Sequence, residues 1–264
     1  MGVLNVTPDS FSDGGRFLAS EAAVERAWAM VDEGADIIDV GAESTRPGAE
    51  PVTAEIELER LSPVIEGLGT NFPIPVSVDT YKSDVADRVL ASGAEIINDV
   101  SGLRIDPDMA HVVARHRAGL VIMHMRGNPG TMQSLASYGD LVSEVRAELE
   151  ESARIAESAG ILPVRIVFDP GIGFAKNHVQ STVLLNRLQQ LSIMDRPLLV
   201  GLSRKSFIGK ILDLPVDQRI EGTIAAGIVS LVKGAQVLRV HDVKAVKRAV
   251  EVATAILEEC QNLV

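Results

Sequence analysis

Eight short apolar runs, spread along the whole chain and almost all ending in polar residues, restrict the fold more than any other feature. They cover residues 3–6, 37–40, 75–78, 96–97, 120–123, 166–168, 198–202 and 236–240. At or just after their ends stand Asn5, Glu43 to Arg46, Asp79, Asn98 with Asp99, His124, Asp169, Ser203 to Lys205, and Arg239 with His241. A buried strand gains nothing from a carboxylate or an amide at its last residue. A catalytic mouth fed by the carboxyl ends of parallel strands needs such groups there.

The segments between the runs read as helices. In 20–33, Val24, Ala27, Trp28 and Val31 fall on one predicted helical face, and Val85, Val89 and Leu90, then Leu141, Val145 and Leu149, repeat the pattern. Gly34, Gly93, Gly119, Gly160 and Gly234 each precede a run, as expected where a left-handed glycine closes a helix before a strand. Alternating strand and helix requires a parallel sheet. Eight repeats favour an α/β fold of the closed (β/α)8 TIM barrel type, one domain over 1–264, rather than an open doubly wound sheet. No Gly-x-Gly-x-x-Gly follows the first run, which weighs against a dinucleotide fold.

Charge and composition narrow the function. A net charge of −11 argues against a nucleic-acid surface. The cations that matter are local: Arg46, Arg204, Lys205, Arg239 and His241. A few cations gathered in an acidic protein point to a small anionic ligand. Cys260 is the only cysteine, so no intrachain disulfide forms and a reducing cytoplasm is expected. No signal peptide is visible, and no apolar stretch is long enough to cross a bilayer, so no membrane partner is expected.

Two loops carry most of the chemistry. The first reads Asn5-Val-Thr-Pro-Asp-Ser-Phe-Ser-Asp13-Gly-Gly15, and the second Glu43-Ser-Thr-Arg-Pro-Gly48. Both follow strands, both are polar, and the first is long for such a connection, so mobile lids after the first and second strands are expected. Further motifs are Ser77-Val-Asp-Thr80, Ile97-Asn-Asp99, Met123-His-Met125, Phe168-Asp-Pro-Gly171 with Gly173-Phe174, Gly201-Leu-Ser-Arg-Lys-Ser206 and Arg239-Val-His-Asp242. Together these closely resemble the dihydropteroate synthase family, and the resemblance spans essentially every strand and both lids. The resemblance implies one expected departure, a further segment upstream of the site motifs.

The resemblance implies a condensation of 6-hydroxymethyl-7,8-dihydropterin pyrophosphate with p-aminobenzoate, giving 7,8-dihydropteroate and pyrophosphate in folate synthesis, with Mg2+ assisting. It places pterin on Asp79, Asn98, Asp169, Lys205 and Met123. It places pyrophosphate on Asn5, Thr45, Arg46, Arg239 and His241, with Asn5 also meeting the metal. It places p-aminobenzoate on Ser206, Phe174, Pro47 and Arg46. Lys205, Asp13 and Asp169 take the catalytic roles.

The residue types suit those roles. Two carboxylates and an amide can pair with the donor and acceptor edge of a pterin, although Asp79 and Asp169 could equally be helix N-caps. Arg239 and His241, two apart at the last strand, are expected to point the same way, toward a phosphate. Arg204 reads as a surface charge. Departure of pyrophosphate would leave a cation delocalised into the pterin, an SN1-like path that Asp13 could stabilise once the first lid closes.

Three other readings share parts of this pattern. A pterin-binding methyltransferase would use the same carboxylate and amide pocket but not the first lid or the pyrophosphate cations. A pterin-binding barrel without catalysis would bind both substrates and turn neither over. A phosphate-sugar enzyme is the default for the fold alone. The segment Thr223–Val232 is apolar nearly all round, where an outer barrel helix should bury one face; on pattern alone a subunit interface and a helix covered by its own neighbours fit equally, and the resemblance, to a family that is usually dimeric, implies a homodimer.

Overall fold

A computed structural model describes residues 1–7, 15–45, 48–191 and 195–258, with the backbone alone over 15–19. Strands β1 (Gly2–Asn5), β2 (Ile38–Gly41), β3 (Val76–Asp79), β4 (Ile96–Asp99), β5 (Gly119–Met123) and β6 (Ile166–Asp169) form one parallel sheet in chain order. Strands β7 (Leu199–Gly201) and β8 (Val237–Arg239) form a second parallel pair. Parallel bridges from Phe168 to Leu198 and from Gly2 to Val240 join the two sheets on both sides. The bonds are Phe168 N to Pro197 O and Val3 N to Val240 O, each 2.9 Å. The strands therefore follow one another around the expected (β/α)8 barrel.

Helices α1 (Gly15–Asp32), α2 (Ala54–Leu68), α3 (Ser83–Ala91), α4 (Met109–His116), α5 (Leu141–Ser158) and α6 (His178–Asn186) follow the first six strands. The short α7 (Ser206–Leu212) sits in the connection from β7 to α8 (Ile220–Val232), and α9 (Val243–Leu257) closes the described chain. Local signals start several of them. Thr53 accepts from Ile56 N ahead of α2, Asp140 from Ser143 N ahead of α5, and Asn177 with Gln180 forms a reciprocal capping box on α6.

The main core lies between the strands and the helices, around Ile38, Leu61, Ile97, Leu120, Ile122, Leu149, Ile166 and Phe168. Complete burial of each such side chain contributes about 1.5–3 kcal/mol. A second cluster, Met1, Val121 and Leu199 with Ile37, Ile96, Val167 and Val237 against them, fills the barrel interior below the rim.

Two details of the predicted helices differ. The buried face of α1 is Ala23, Ala27 and Met30, whereas Trp28 is 43% exposed and packs edge-on against Phe72, in the connection from α2 to β3, ring centroids 5.0 Å apart. Small residues let the helix sit close to the strands, and the bulky indole is displaced to the helix–helix seam. Gly34, Gly93, Gly160 and Gly234 do have positive φ, but Gly119 is the first residue of β5, and the left-handed position before it is Arg117.

Candidate active site

The alternation of side chains along a strand places every second residue inside the barrel. Parallel register then lines up the last inward residues of neighbouring strands. Asn5 is paired with Gly41, Gly41 with Asp79 and Asp79 with Asn98, so one row of the rim carries an amide, a gap, a carboxylate and an amide. Met123 pairs with Asp169, and Gly201 with Arg239. The two glycines leave room: a Cβ at Gly41 would lie 3.9 Å from both Asn5 Oδ1 and Asp79 Oδ2, and one at Gly201 would lie 3.6 Å from Lys205 Nζ.

Arg239 crosses the mouth from β8. Its Nε donates to Asp39 Oδ2 at 2.6 Å and its Nη2 to Asp79 Oδ2 at 2.8 Å. Asp39, one layer below the rim and fully buried, also accepts from Ser77 Oγ at 2.6 Å and Asn98 Nδ2 at 3.1 Å. Burial lifts Asp79 to about 7, with Asp39 adding to the rise and Arg239 opposing it. Burial alone would lower the Arg239 pKa, but Asp39 and Asp79 outweigh it and raise it.

Asp169 stands at the end of β6. Its Oδ1 accepts from Gly171 N at 2.7 Å, and burial raises its pKa against the pull of Lys205. Lys205 Nζ donates to Ile172 O and lies 4.7 Å over the Phe174 ring. Burial lowers this ammonium to about 8, with Asp169 opposing the fall. Phe174, half-buried, packs against Val100, Met123, Met125, Met132 and Ala175, a small apolar cluster that includes the rim methionine.

Neither Asp79 nor Asp169 is a helix cap. The N-cap of α3 is Lys82 and that of α6 is Asn177, so the alternative use of these two carboxylates falls away. Asp99, in contrast, serves the backbone, accepting from Ser101 N and Leu103 N at 2.8 Å each.

β8 ends at Arg239, and His241 Nδ1 lies 2.9 Å from Ser203 Oγ, toward the loop after β7. Arg204 is a half-exposed partner of Asp242, with bonds of 3.0 and 2.6 Å from Nε and Nη2. Ser206 opens α7 and is exposed; Thr45 lies on the loop after β2 and is half-buried. Asp13, Arg46 and Pro47 lie outside the described residues.

Sequence reasoning places His124 and Glu43 at strand ends but misses Asp39, Lys176 and Lys82. Asp39 interrupts an apolar run, and that interruption was its signal. Lys176 and His124 are both buried, with Lys176 Nζ 2.8 Å from His124 Nδ1. Lys82 joins Glu43, at the root of the second loop, to the buried Glu57 of α2, and Tyr81 donates to Glu43 at 2.6 Å.

Among the described residues, no three His, Cys, Asp or Glu side chains gather as a metal site. Asn5 supplies one neutral oxygen directed at the rim. That suits a magnesium ion that takes most of its ligands from water and a bound pyrophosphate, and not a metal caged by protein. No helix among the described residues is long and apolar enough to cross a membrane.

Known proteins share this sequence and fold. Residues 1–241 match the family described as pterin binding enzyme. The dihydropteroate synthase of Synechocystis is 48% identical over 257 residues, 97% of this chain and 89% of the relative. A crystal structure of the Clostridium difficile dihydropteroate synthase, obtained in the presence of pteroic acid, superposes with a TM-score of 0.92 at 44% identity, covering 97% of this chain and 95% of that one. The Yersinia pestis dihydropteroate synthase, in complex with a sulfonamide drug, gives a TM-score of 0.92 at 40% identity, with 98% and 94% covered.

Proposed function

The chain belongs to the dihydropteroate synthases of the pterin-binding family, and from that premise we propose how its own residues divide the work. It is a transferase of folate synthesis, condensing 6-hydroxymethyl-7,8-dihydropterin pyrophosphate with p-aminobenzoate to give 7,8-dihydropteroate and pyrophosphate, and it belongs to the class that sulfonamides target. Its partners are these small molecules.

The observation that carries the assignment of roles is the convergence of Asp79, Asn98, Asp169 and Lys205 on one rim. The flat pterin lies across it. Asp79 and Asp169 accept from ring and amino N–H groups, Asn98 serves an acceptor and a donor, and Met123 supports a ring face. Lys205 donates to the pterin carbonyl and adds positive charge near the reacting methylene.

Pyrophosphate sits beside β8 and β1. Arg239 uses two donors on Asp39 and Asp79, which leaves others of its five for phosphate oxygens. Asn5, Thr45, Arg46 and His241 complete the anion's surroundings. Asn5 would hold magnesium, whose contribution is to neutralise charge on the leaving group.

The C–O bond to pyrophosphate breaks ahead of attack, and the cation left on the methylene spreads into the pterin ring. Fixed carboxylates answer that charge, Asp169 from the rim and Asp13 from the first loop. The weak aniline nucleophile then needs position more than basicity. Phe174 and Pro47 wall its ring, Ser206 and Arg46 meet its carboxylate, and its surplus proton leaves to solvent or to the released pyrophosphate.

A homodimer fits the outer surface. Val229 and Val232 of α8 and Val252 and Ile256 of α9 are exposed apolar side chains on two helices packed together, and a second copy would cover them. The reducing cytoplasm is the proposed compartment.

Incubating the protein with both substrates and Mg2+, and following dihydropteroate by mass spectrometry, tests the assignment through its variants. Product from the unaltered protein and a sharp loss in Asp79→Ala and Asp169→Ala are expected. Full turnover in either variant would remove that carboxylate from the site.

A further inference from the structure

The turn after β6 reads Gly171-Ile-Gly-Phe-Ala-Lys176. Gly171, Gly173 and Ala175 all have positive φ, at 67°, 82° and 47°. For Ala175 this costs conformational energy, so the turn persists only where its surroundings hold it. A Cβ at Gly171 would lie 2.0 Å from His124 O, so the chain passes very close to the loop after β5. One backbone bond, Phe174 N to Gly171 O at 3.0 Å, closes the turn. Its carbonyls are held by side chains. Lys205 takes Ile172 O, Gln133 Nε2 takes Gly173 O at 3.2 Å, the Tyr138 hydroxyl takes Ala175 O at 2.9 Å, and Lys176 Nζ takes Phe174 O at 2.9 Å.

Lys176 differs from the other three because it is 2% exposed. A fully buried lysine is rare and needs its donors used. Here Nζ meets Phe174 O, His124 Nδ1 at 2.8 Å and, at 3.4 Å, His124 O. An ammonium donating to Nδ1 leaves the proton of a neutral His124 on Nε2. That nitrogen faces Glu148 Oε2 at 3.2 Å, out of line for a full hydrogen bond. Burial, then the Lys176 charge, lowers the His124 pKa to about 4 and keeps the ring neutral. Burial lowers Lys176 itself to about 7; Asp169 and Glu148 favour its charged form, and Lys205 and Arg126 oppose it.

We propose that Lys176 is a positioning residue for the condensation: by gripping Phe174 O and His124 together, it locks the strained turn so that the Phe174 ring stands as the wall of the p-aminobenzoate slot. The proposal rests on Phe174 being that wall. It makes no contact with either substrate necessary. It also explains why a lysine is buried at a place where an apolar residue would pack more cheaply: an apolar side chain could donate neither to the carbonyl on one loop nor to the ring nitrogen on the other.

Steady-state kinetics on Lys176→Met, Lys176→Gln and Phe174→Ala, with pterin affinity by calorimetry, test it. Loss of a charged hydrogen bond should raise the p-aminobenzoate KM by about tenfold in Lys176→Met, while pterin affinity changes little. Lys176→Gln, which keeps a donor for Phe174 O, should fall between that variant and the unaltered protein, and it carries the test if the Met variant does not fold. Phe174→Ala should raise the same KM. A raised KM in Phe174→Ala with an unchanged one in both lysine variants would overturn the positioning role and leave the wall intact. An unchanged KM in Phe174→Ala would show instead that the wall assignment has failed. Equal losses for pterin and p-aminobenzoate in Lys176→Met would also overturn the proposal, because a general loosening of the pocket would then account for them.

Discussion

Arg239 Nη2 lies 2.8 Å from Asp79 Oδ2, across 160 residues of sequence. The same guanidinium reaches Asp39 one layer deeper. One cation from β8 thus answers two carboxylates from β2 and β3, and the floor of the mouth is closed by charge as well as by packing. Removing Arg239 would leave two acids buried without their counter-ion.

Arg239→Met should therefore cost stability as well as pyrophosphate binding. Breaking a buried ion pair from one side costs about 3–5 kcal/mol. Urea unfolding should show a clearly lower midpoint, and adding Asp39→Asn to the same chain should recover part of it. A midpoint equal to that of the unaltered protein would mean that the guanidinium contributes to ligand binding alone.

Asp79 gives a pH signature. Its folded pKa of about 7 stands above the ordinary value of 3.8, with burial as the leading cause. A raised acid favours the fold while protonated, so its contribution is complete below about pH 4 and is lost as pH rises through about 7. Asp79→Asn stays neutral throughout. Its melting temperature relative to the unaltered protein should climb between about pH 4 and pH 7 and then level off. Pterin binding runs the other way, since the ionised carboxylate is the form that accepts from the ring. Affinity measured by calorimetry should weaken below about pH 7 in the unaltered protein and not in Asp79→Asn.

Asp169 has two duties, and two substitutions separate them. It serves the pterin and also accepts from Gly171 N at 2.7 Å. Asp169→Ala leaves that buried N–H without a partner, at about 1–3 kcal/mol. Asp169→Asn retains an oxygen for it but loses the charge. Pterin affinity should fall strongly in both, whereas thermal stability should fall mainly in the alanine variant. Normal pterin affinity in Asp169→Asn would leave the residue as a turn-former only.

Much of this site could be read from residue order because strand ends declare themselves. An acid or amide at the last position of an apolar run, as at Asp79, Asn98 and Asp169, has no packing reason to be there. Asp39 was harder, since it sits inside its run and its partners come from β3, β4 and β8. Only the closed ring brings them together. Lys176 looks like an ordinary solvated lysine before a helix, and its burial follows from how closely the loops after β5 and β6 approach. On α1, periodicity ranks Trp28 by hydrophobicity, whereas the barrel wall selects Ala23 and Ala27 for their small size.

Lys205 separates rate from affinity. Its ammonium stands by Asp169 and over Phe174, and it donates to Ile172 O. Lys205→Gln keeps much of the length and one donor but removes the charge. A charge near the reacting methylene acts when pyrophosphate departs, and only interactions stronger in the transition state than in the ground state raise the rate. Turnover should then drop by more than the p-aminobenzoate KM rises. The pH dependence adds a second handle. Burial lowers this lysine to about 8, so turnover of the unaltered protein should decline as pH passes that value and the ammonium loses its proton. The glutamine variant should show no such limb. Stopped assays of dihydropteroate across that range decide the point: a decline of equal depth in both proteins would assign it to another group and reduce Lys205 to a support for the turn at Ile172.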